Sequence, residues 1–194
     1  CVDLIDYIRG LDTVAIAYCG VGNEPDGGTE FWRDPATGLS ASAAQYFAYY
    51  AVIADAVKAY DPTLKVGGPE AVNPVANFTA WIRGLMAYCQ TNNKPLDFVS
   101  FHAYNQTGWL LNQVCAKIDK AKTDLSWVGT LELISGEWNR GPGPVPPFRQ
   151  GGTFTELGDF AAGAVARELM ELQRLGFARA IYFKNTRNLT GAAS

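Results

Sequence analysis

The sequence predicts an α/β fold and, within that class, a partial TIM (β/α)8 barrel made of about strands 4–8 with their helices. Three observations carry this expectation. Five short apolar runs alternate with helical patterns, which implies right-handed crossovers and a parallel sheet. The runs are continuously apolar rather than alternating, as strands covered on both faces are. Residues able to do chemistry stand directly after the runs: Glu24, Glu70, His102 with Tyr104, Glu137, and Lys184 with Asn185. In a barrel all such strand ends meet at one face. Five strands do not close an eight-strand ring, and a whole barrel takes roughly 250 residues. At 194 residues the expectation is a single domain, residues 1–194, forming the later part of a barrel whose first three β/α units are absent.

The elements follow in order. Leu4, Ile5 and Ile8 mark the tail of a helix that stops at Gly10. The predicted strands are Thr13–Tyr18, Leu64–Val66, Asp97–Phe101, Leu131–Ser135 and Ala178–Phe183. The first long helix, Ser40–Tyr60, puts Phe47, Tyr50, Ala51, Ala54 and Val57 on one face and ends at Asp61-Pro62, because proline cannot continue it. A second, about Val75 to Gln90, carries the stripe Phe78, Ile82, Leu85, Met86 and Cys89. A third, about Gly108–Ala121, carries Leu110, Leu111, Val114 and Ile118. The last, Glu156–Leu175, carries Phe160, Ala164, Val165, Leu169 and Leu172 and is closed by Gly176. Such stripes are core faces.

Composition narrows the function. A net charge of −3 and a pI near 5.2 argue against nucleic acid or an anionic membrane as partner. No apolar run reaches the roughly 20 residues that span a bilayer. The four cysteines, Cys1, Cys19, Cys89 and Cys115, are too far apart for a Cys-x-x-Cys motif and read as free thiols. Sequons at Asn77, Asn105 and Asn188 are compatible with a secreted, glycosylated protein, so the extracellular space or secretory pathway is the expected location. The first strand–helix connection holds neither Gly-x-Gly-x-x-Gly nor a Walker lysine, which argues against a nucleotide enzyme.

Two stretches share one grammar. Gly22-Asn23-Glu24-Pro25-Asp26 follows an apolar strand, and so does Gly136-Glu137-Trp138-Asn139. In barrel order three strand steps separate the two glutamates, which puts them on facing sides of a small mouth. Facing carboxylates are what glycosidic cleavage needs: one protonated to give a proton to the departing oxygen, one ionised to attack the sugar carbon or activate water. Taken singly, each residue has a plainer reading. Glu24 could sit in a solvated loop, His102 in a satisfied core position, Glu70 at a helix cap, and Trp32 and Trp138 in packing. The pair in equivalent places favours the chemical reading.

Asn23-Glu24-Pro25-Asp26 followed by Phe31-Trp32, the stretch from Gln45 to Glu70, Asp97–Asn105 and Ile134–Asn139 together resemble the clan A glycoside hydrolases, and most closely family 39, the β-xylosidase and α-L-iduronidase group. The resemblance spans about Val14 to Tyr182. It implies that Glu24 is the acid/base after the fourth strand, that Glu137 is the nucleophile after the seventh, and that anomeric configuration is retained. It implies a β-xylosidase-like activity on a carbohydrate substrate, with no metal and no organic cofactor. Asn23 would donate to the sugar 2-hydroxyl, and His102 and Tyr104 would line the site near the nucleophile. Trp138 and Trp32 would offer rings to sugars, and Glu70 and Lys184 are further candidate substrate contacts. Gly22 stands where many relatives carry Trp, and Phe183-Lys184-Asn185-Thr186 replaces a common Trp. The proline-rich loop from Gly141 to Gly152 is expected to rim the pocket. A complementing barrel segment, from the same protein or another chain, is an expected partner. The competing expectation is a non-catalytic carbohydrate-binding or structural fragment.

Overall fold

The computed structural model describes residues 2–10, 15–28, 32–104, 108–139 and 158–182, and in them helices and strands alternate. Helix α1 (Val2–Arg9) precedes β1 (Tyr18–Gly20), and α2 (Ala43–Tyr60) leads to β2 (Lys65–Ala71). A π-helical turn (Phe78–Arg83) runs into α3 (Gly84–Thr91). Then come β3 (Phe98–Tyr104), α4 (Gly108–Asp124), β4 (Glu132–Asn139), α5 (Gly158–Arg174) and β5 (Arg179–Tyr182). The sheet keeps chain order, β1-β2-β3-β4-β5, with every neighbouring pair parallel. Sequential parallel strands with helices between them are a half-barrel, as the strand–helix rhythm predicts.

The helices pack on the outside of the sheet. On α2, Ser42 is the N-cap, and Gln45 reciprocates in a capping box that satisfies two otherwise unpaired donors. Its buried face is Tyr46, Phe47, Tyr50, Ala51, Ala54 and Val57, and the π turn and α3 bury Phe78, Ile82, Leu85, Met86 and Cys89. These stripes match the predicted ones, with Tyr46 added. Leu169 does not match. It is 46% exposed, on a side of α5 that no other described residue covers. No helix among the described residues is long and apolar enough to cross a membrane.

Four of the five strands lie further along the chain than expected. Strand β1 begins at Tyr18, where the predicted strand ended, and β2, β3 and β4 each run on by several residues. Apolar runs mark only the parts of a strand that are covered on both faces, whereas the later parts carry Gly, Pro, Ser, His and Glu and are held by the ladder. Glu70, His102, Tyr104 and Glu137 therefore lie within strands, not after them. The ladder also contains bulges. Pro69 and Ala71 face consecutive Ser100 and Phe101, which leaves Glu70 as the extra residue in β2. Phe101 and His102 face Ser135 and Glu137, which makes Gly136 the extra residue in β4. A bulge re-aims the side chains around it.

Candidate active site

The loop after β1 carries Glu24 in a left-handed conformation (φ 46°), which non-glycine residues rarely adopt. Several bonds hold it there. The Glu24 amide donates to the Glu70 carbonyl over 3.0 Å, and the Gly27 amide closes a turn onto the Glu24 carbonyl over 2.9 Å. Asp26 then ties the loop to the segment after β2, accepting from the amides of Val72 (2.8 Å) and Asn73 (3.0 Å) and from Asn77 Nδ2 (3.0 Å). From below, the Tyr46 hydroxyl donates to the Val21 carbonyl over 2.6 Å, worth about 0.5–1.5 kcal/mol. Gly22 has φ 90°, and a Cβ there would stand 3.1 Å from Tyr46 Cε2. Position 22 is thus closely backed by a tyrosine from α2.

His102, on β3 and 1% exposed, is the hub. Its Nδ1 lies 2.7 Å from Glu24 Oε1 and 3.6 Å from Glu137 Oε2, and its Nε2 lies 3.6 Å from Glu70 Oε2. One donor atom each from Glu24, His102 and Glu137 fall within 4.8 Å of one another, so the two carboxylates of the repeated grammar do meet. Glu24 and Glu70 are mostly buried, with 12% and 15% of their side chains exposed, and Glu137 is more open at 26%. Such a donor set could also take a divalent cation. The bulge residue Glu70 (φ 57°) reaches across β3 and lies over Gly136, where a Cβ would come within 1.8 Å of Glu70 Oε2. Burial raises the Glu70 carboxyl above its usual range, and the Glu137 charge adds to that against the opposing Ser100 and His102.

The other expected site residues fare differently. Asn23 is exposed beside Glu24. Tyr104 ends β3 opposite Asn139, and its side chain is outside the described residues, as are Lys184 and the loop 141–152. Trp138 corrects the expectation of a sugar platform: it is 2% exposed and part of the core. Trp32 packs edge-on against Tyr46 (5.6 Å) and Tyr49 (4.9 Å). Asn77, read as a sequon, spends its amide on Asp26. Sequence reasoning missed Asp26, Tyr46 and Ser100 as parts that hold the site. Only Asp26 gave a signal, as an acid directly after Glu-Pro in a loop.

Comparison with known proteins bears on the family and the fold. A family model described as Glycosyl hydrolases family 39 matches residues 6–174. The chain is 30% identical over 150 residues to a beta-xylosidase of Caldicellulosiruptor saccharolyticus, covering 72% of this chain and 28% of that protein. It is 38% identical over 95 residues to a beta-xylosidase of Geobacillus stearothermophilus, covering 49% of this chain and 17% of the relative. The chain thus spans less than a third of these curated relatives. Among solved structures, a GH39 enzyme from Xanthomonas axonopodis pv. citri aligns with TM-score 0.65 at 23% identity, over 94% of this chain and 36% of that one. A monomeric beta-xylosidase from Caulobacter crescentus CB15 aligns with TM-score 0.64 at 21% identity, over 94% and 37%. At those identities the two structures speak for the fold.

Proposed function

This chain belongs to glycosyl hydrolases family 39, and on that premise we propose that it supplies the two-carboxylate centre of a retaining glycosidase with β-xylosidase-like activity. Glu24 is the acid/base and Glu137 the nucleophile. The single observation that carries the reading is that the Glu24 and Glu137 carboxyl oxygens come within 4.8 Å of each other. A nucleophilic carboxylate stands roughly 5–5.5 Å from its acid, whereas an inverting pair leaves roughly 6.5–9.5 Å for a water. The short separation is that of a retaining pair, and it favours direct attack of the second carboxylate on the sugar carbon.

The roles follow from the surroundings. Glu24, buried and 2.7 Å from His102 Nδ1, has a neighbour with which to share the proton it delivers to the leaving oxygen. Glu137 is the more open of the two and is reached by the anomeric carbon. After the glycosyl-enzyme ester forms on Glu137, Glu24 takes a proton from water, and the hydroxide so generated releases the sugar. Asn23, exposed beside Glu24, is placed to meet a sugar hydroxyl. Xylose as the substrate sugar rests on the two curated relatives named beta-xylosidase.

The test is stereochemical. Full-length protein is given an aryl β-xyloside in an NMR tube, and the first anomer of xylose released is read before mutarotation. The β-anomer is expected. First release of the α-anomer would overturn the retaining assignment, and absence of turnover on aryl glycosides of any sugar would overturn the glycosidase reading.

A further inference from the structure

Glu24 stands where the chain leaves the sheet, and a side chain takes over there from the strand ladder. Strand β1 ends at Gly20. Beyond it the Val21 amide donates to the Gly67 carbonyl over 2.9 Å and the Glu24 amide to the Glu70 carbonyl over 3.0 Å. Asp26 then continues the attachment with its carboxylate. Oδ1 accepts from the Val72 amide over 2.8 Å, and Oδ2 accepts from the Asn73 amide and from Asn77 Nδ2, each over 3.0 Å. Both oxygens are thus spent on one segment, residues 72–77. That segment is itself well seated. Phe78 and Ile82 of the following π turn are buried, and Lys117 of α4 donates to the Val75 carbonyl over 3.0 Å while lying 5.5 Å over the Phe78 ring. Asn77 occupies the N-cap of the π turn, where its side chain would ordinarily accept from the turn's own amides, yet it makes no such bond. It reaches back to Asp26 instead. A local capping rule set aside for a long-range bond is a mark of a functional position.

We propose that Asp26 is a positioning residue for Glu24: its clasp on residues 72–77 holds the acid/base where it can deliver and take up a proton. The link between them is short. Glu24 has φ 46°, a conformation that a residue with a side chain keeps only where its surroundings over-determine it. The Gly27 amide closes onto the Glu24 carbonyl over 2.9 Å, so Asp26 lies inside the turn that Glu24 begins, and anchoring Asp26 anchors the turn. Without the clasp Glu24 relaxes toward negative φ, and its carboxyl swings away from the leaving oxygen. A misplacement of about 1 Å in a catalytic group costs on the order of 10²-fold in rate. Glu137 is held differently, by the ladder between β3 and β4. Loss of the clasp therefore weakens the proton transfer and spares the nucleophile. Asp26 acts through Glu24 and takes no part in the bond changes itself.

The kinetic consequence rests on the glycosidase reading, whereas the clasp is measured directly. The variants are Asp26→Ala and the milder Asn77→Ala, both in the full-length protein. Hydrogen–deuterium exchange is followed by mass spectrometry in peptides from the Glu24 loop and from residues 72–77. In Asp26→Ala both peptides are expected to exchange faster, by about tenfold or more at the protected amides. Faster exchange in residues 72–77 with an unchanged Glu24 loop overturns the proposal. Kinetics then separate positioning from general damage. For an alkyl xyloside, whose leaving group needs a proton, kcat/KM is expected to fall about 10–100-fold, within the range that general acids contribute. For dinitrophenyl xyloside, whose leaving group needs none, kcat/KM is expected to stay within about threefold. Its kcat should still fall, with a burst of dinitrophenol, because Glu24 is also the base that releases the glycosyl-enzyme. Equal falls in kcat/KM on the two substrates overturn the proposal. Asn77→Ala is expected to show the same pattern at smaller size, and it decides the matter if Asp26→Ala does not fold. Exchange and kinetics equal to the parent's in Asn77→Ala count against the clasp. Should the parent hydrolyse no glycoside, the glycosidase reading fails, while exchange still decides whether Asp26 holds Glu24.

Discussion

The concave side of this half-barrel has two ends, and they treat glutamate in opposite ways. Toward the start of the strands, Glu132 of β4 pairs with Lys65 of β2 and accepts from the Tyr18 hydroxyl over 3.0 Å. Lys65 and Arg179 both lie 5.2 Å over the Tyr18 ring. The Lys65 hydrogen bond holds the Glu132 carboxyl below its usual range, with Tyr18 and Arg179 adding to it. Toward the other end, Glu24, Glu70 and Glu137 crowd one histidine, and burial raises Glu70 instead. One end has charges that match. Among the described residues the other gathers three carboxyl groups around one histidine, as expected where the surroundings must push proton affinities apart.

The largest effect that sharpens this contrast is on activity. Glu137→Gln in the full-length protein is expected to lower turnover of an activated aryl xyloside by on the order of 10⁴–10⁶, the scale seen when a nucleophile is removed. Because the substitution also removes one of three crowded carboxylates, the melting temperature is expected to hold or rise. Turnover near the parent's value would remove Glu137 from the chemistry. A fall in melting temperature would mean that the acid-rich end is matched after all.

A smaller effect separates the two ends by the sign of their pH dependence. Glu70 is raised from 4.5 in the folded chain, so the native state binds its proton more tightly than the unfolded state. Its contribution is fully present below 4.5 and is lost as pH rises through the native value. Glu132 is lowered from 4.5, so its contribution is present above 4.5 and is lost as pH falls through the native value. Thermal melts across pH are therefore expected to lose part of their alkaline-side decline in Glu70→Gln and part of their acid-side decline in Glu132→Gln. Both variants flattening the same limb would break the comparison.

The sequence exposed the contrast unevenly. The strand–helix rhythm gave the half-barrel, because crossover length and continuous apolar runs are local properties. Glu24 and Glu137 were legible because each stands in the same short grammar, and both come to one histidine. Glu70 was legible as a candidate but not in its role. A bulge is a property of register between two strands, and neither Gly-Gly-Pro-Glu nor Ser-Gly-Glu announces one alone. The tryptophan at 138 was misread even though the signal was present. Consecutive strand residues face opposite sides, so with Glu137 aimed into the concave interior its neighbour must enter the helix-covered core. Asp26 and Tyr46 escaped because their partners, Val72, Asn73, Asn77 and Val21, are distant in sequence.

The smallest expected effect lies at the matched end. Lys65 is 40% exposed and Glu132 is 21% exposed, so water screens their attraction, and pairs of this kind are worth up to about 1 kcal/mol. Lys65→Met keeps an unbranched side chain while deleting the charge that lies over Tyr18. It is expected to lower stability slightly in urea unfolding at low salt, with a smaller loss in 1 M salt, where charges are screened beyond about 3 Å. Aryl xyloside turnover in the full-length variant should stay within about twofold of the parent, since Lys65 stands at the opposite end of the strands from His102. A large, salt-independent loss would show instead that Lys65 is a buried charge whose removal strands Glu132, since breaking such a pair costs several kcal/mol.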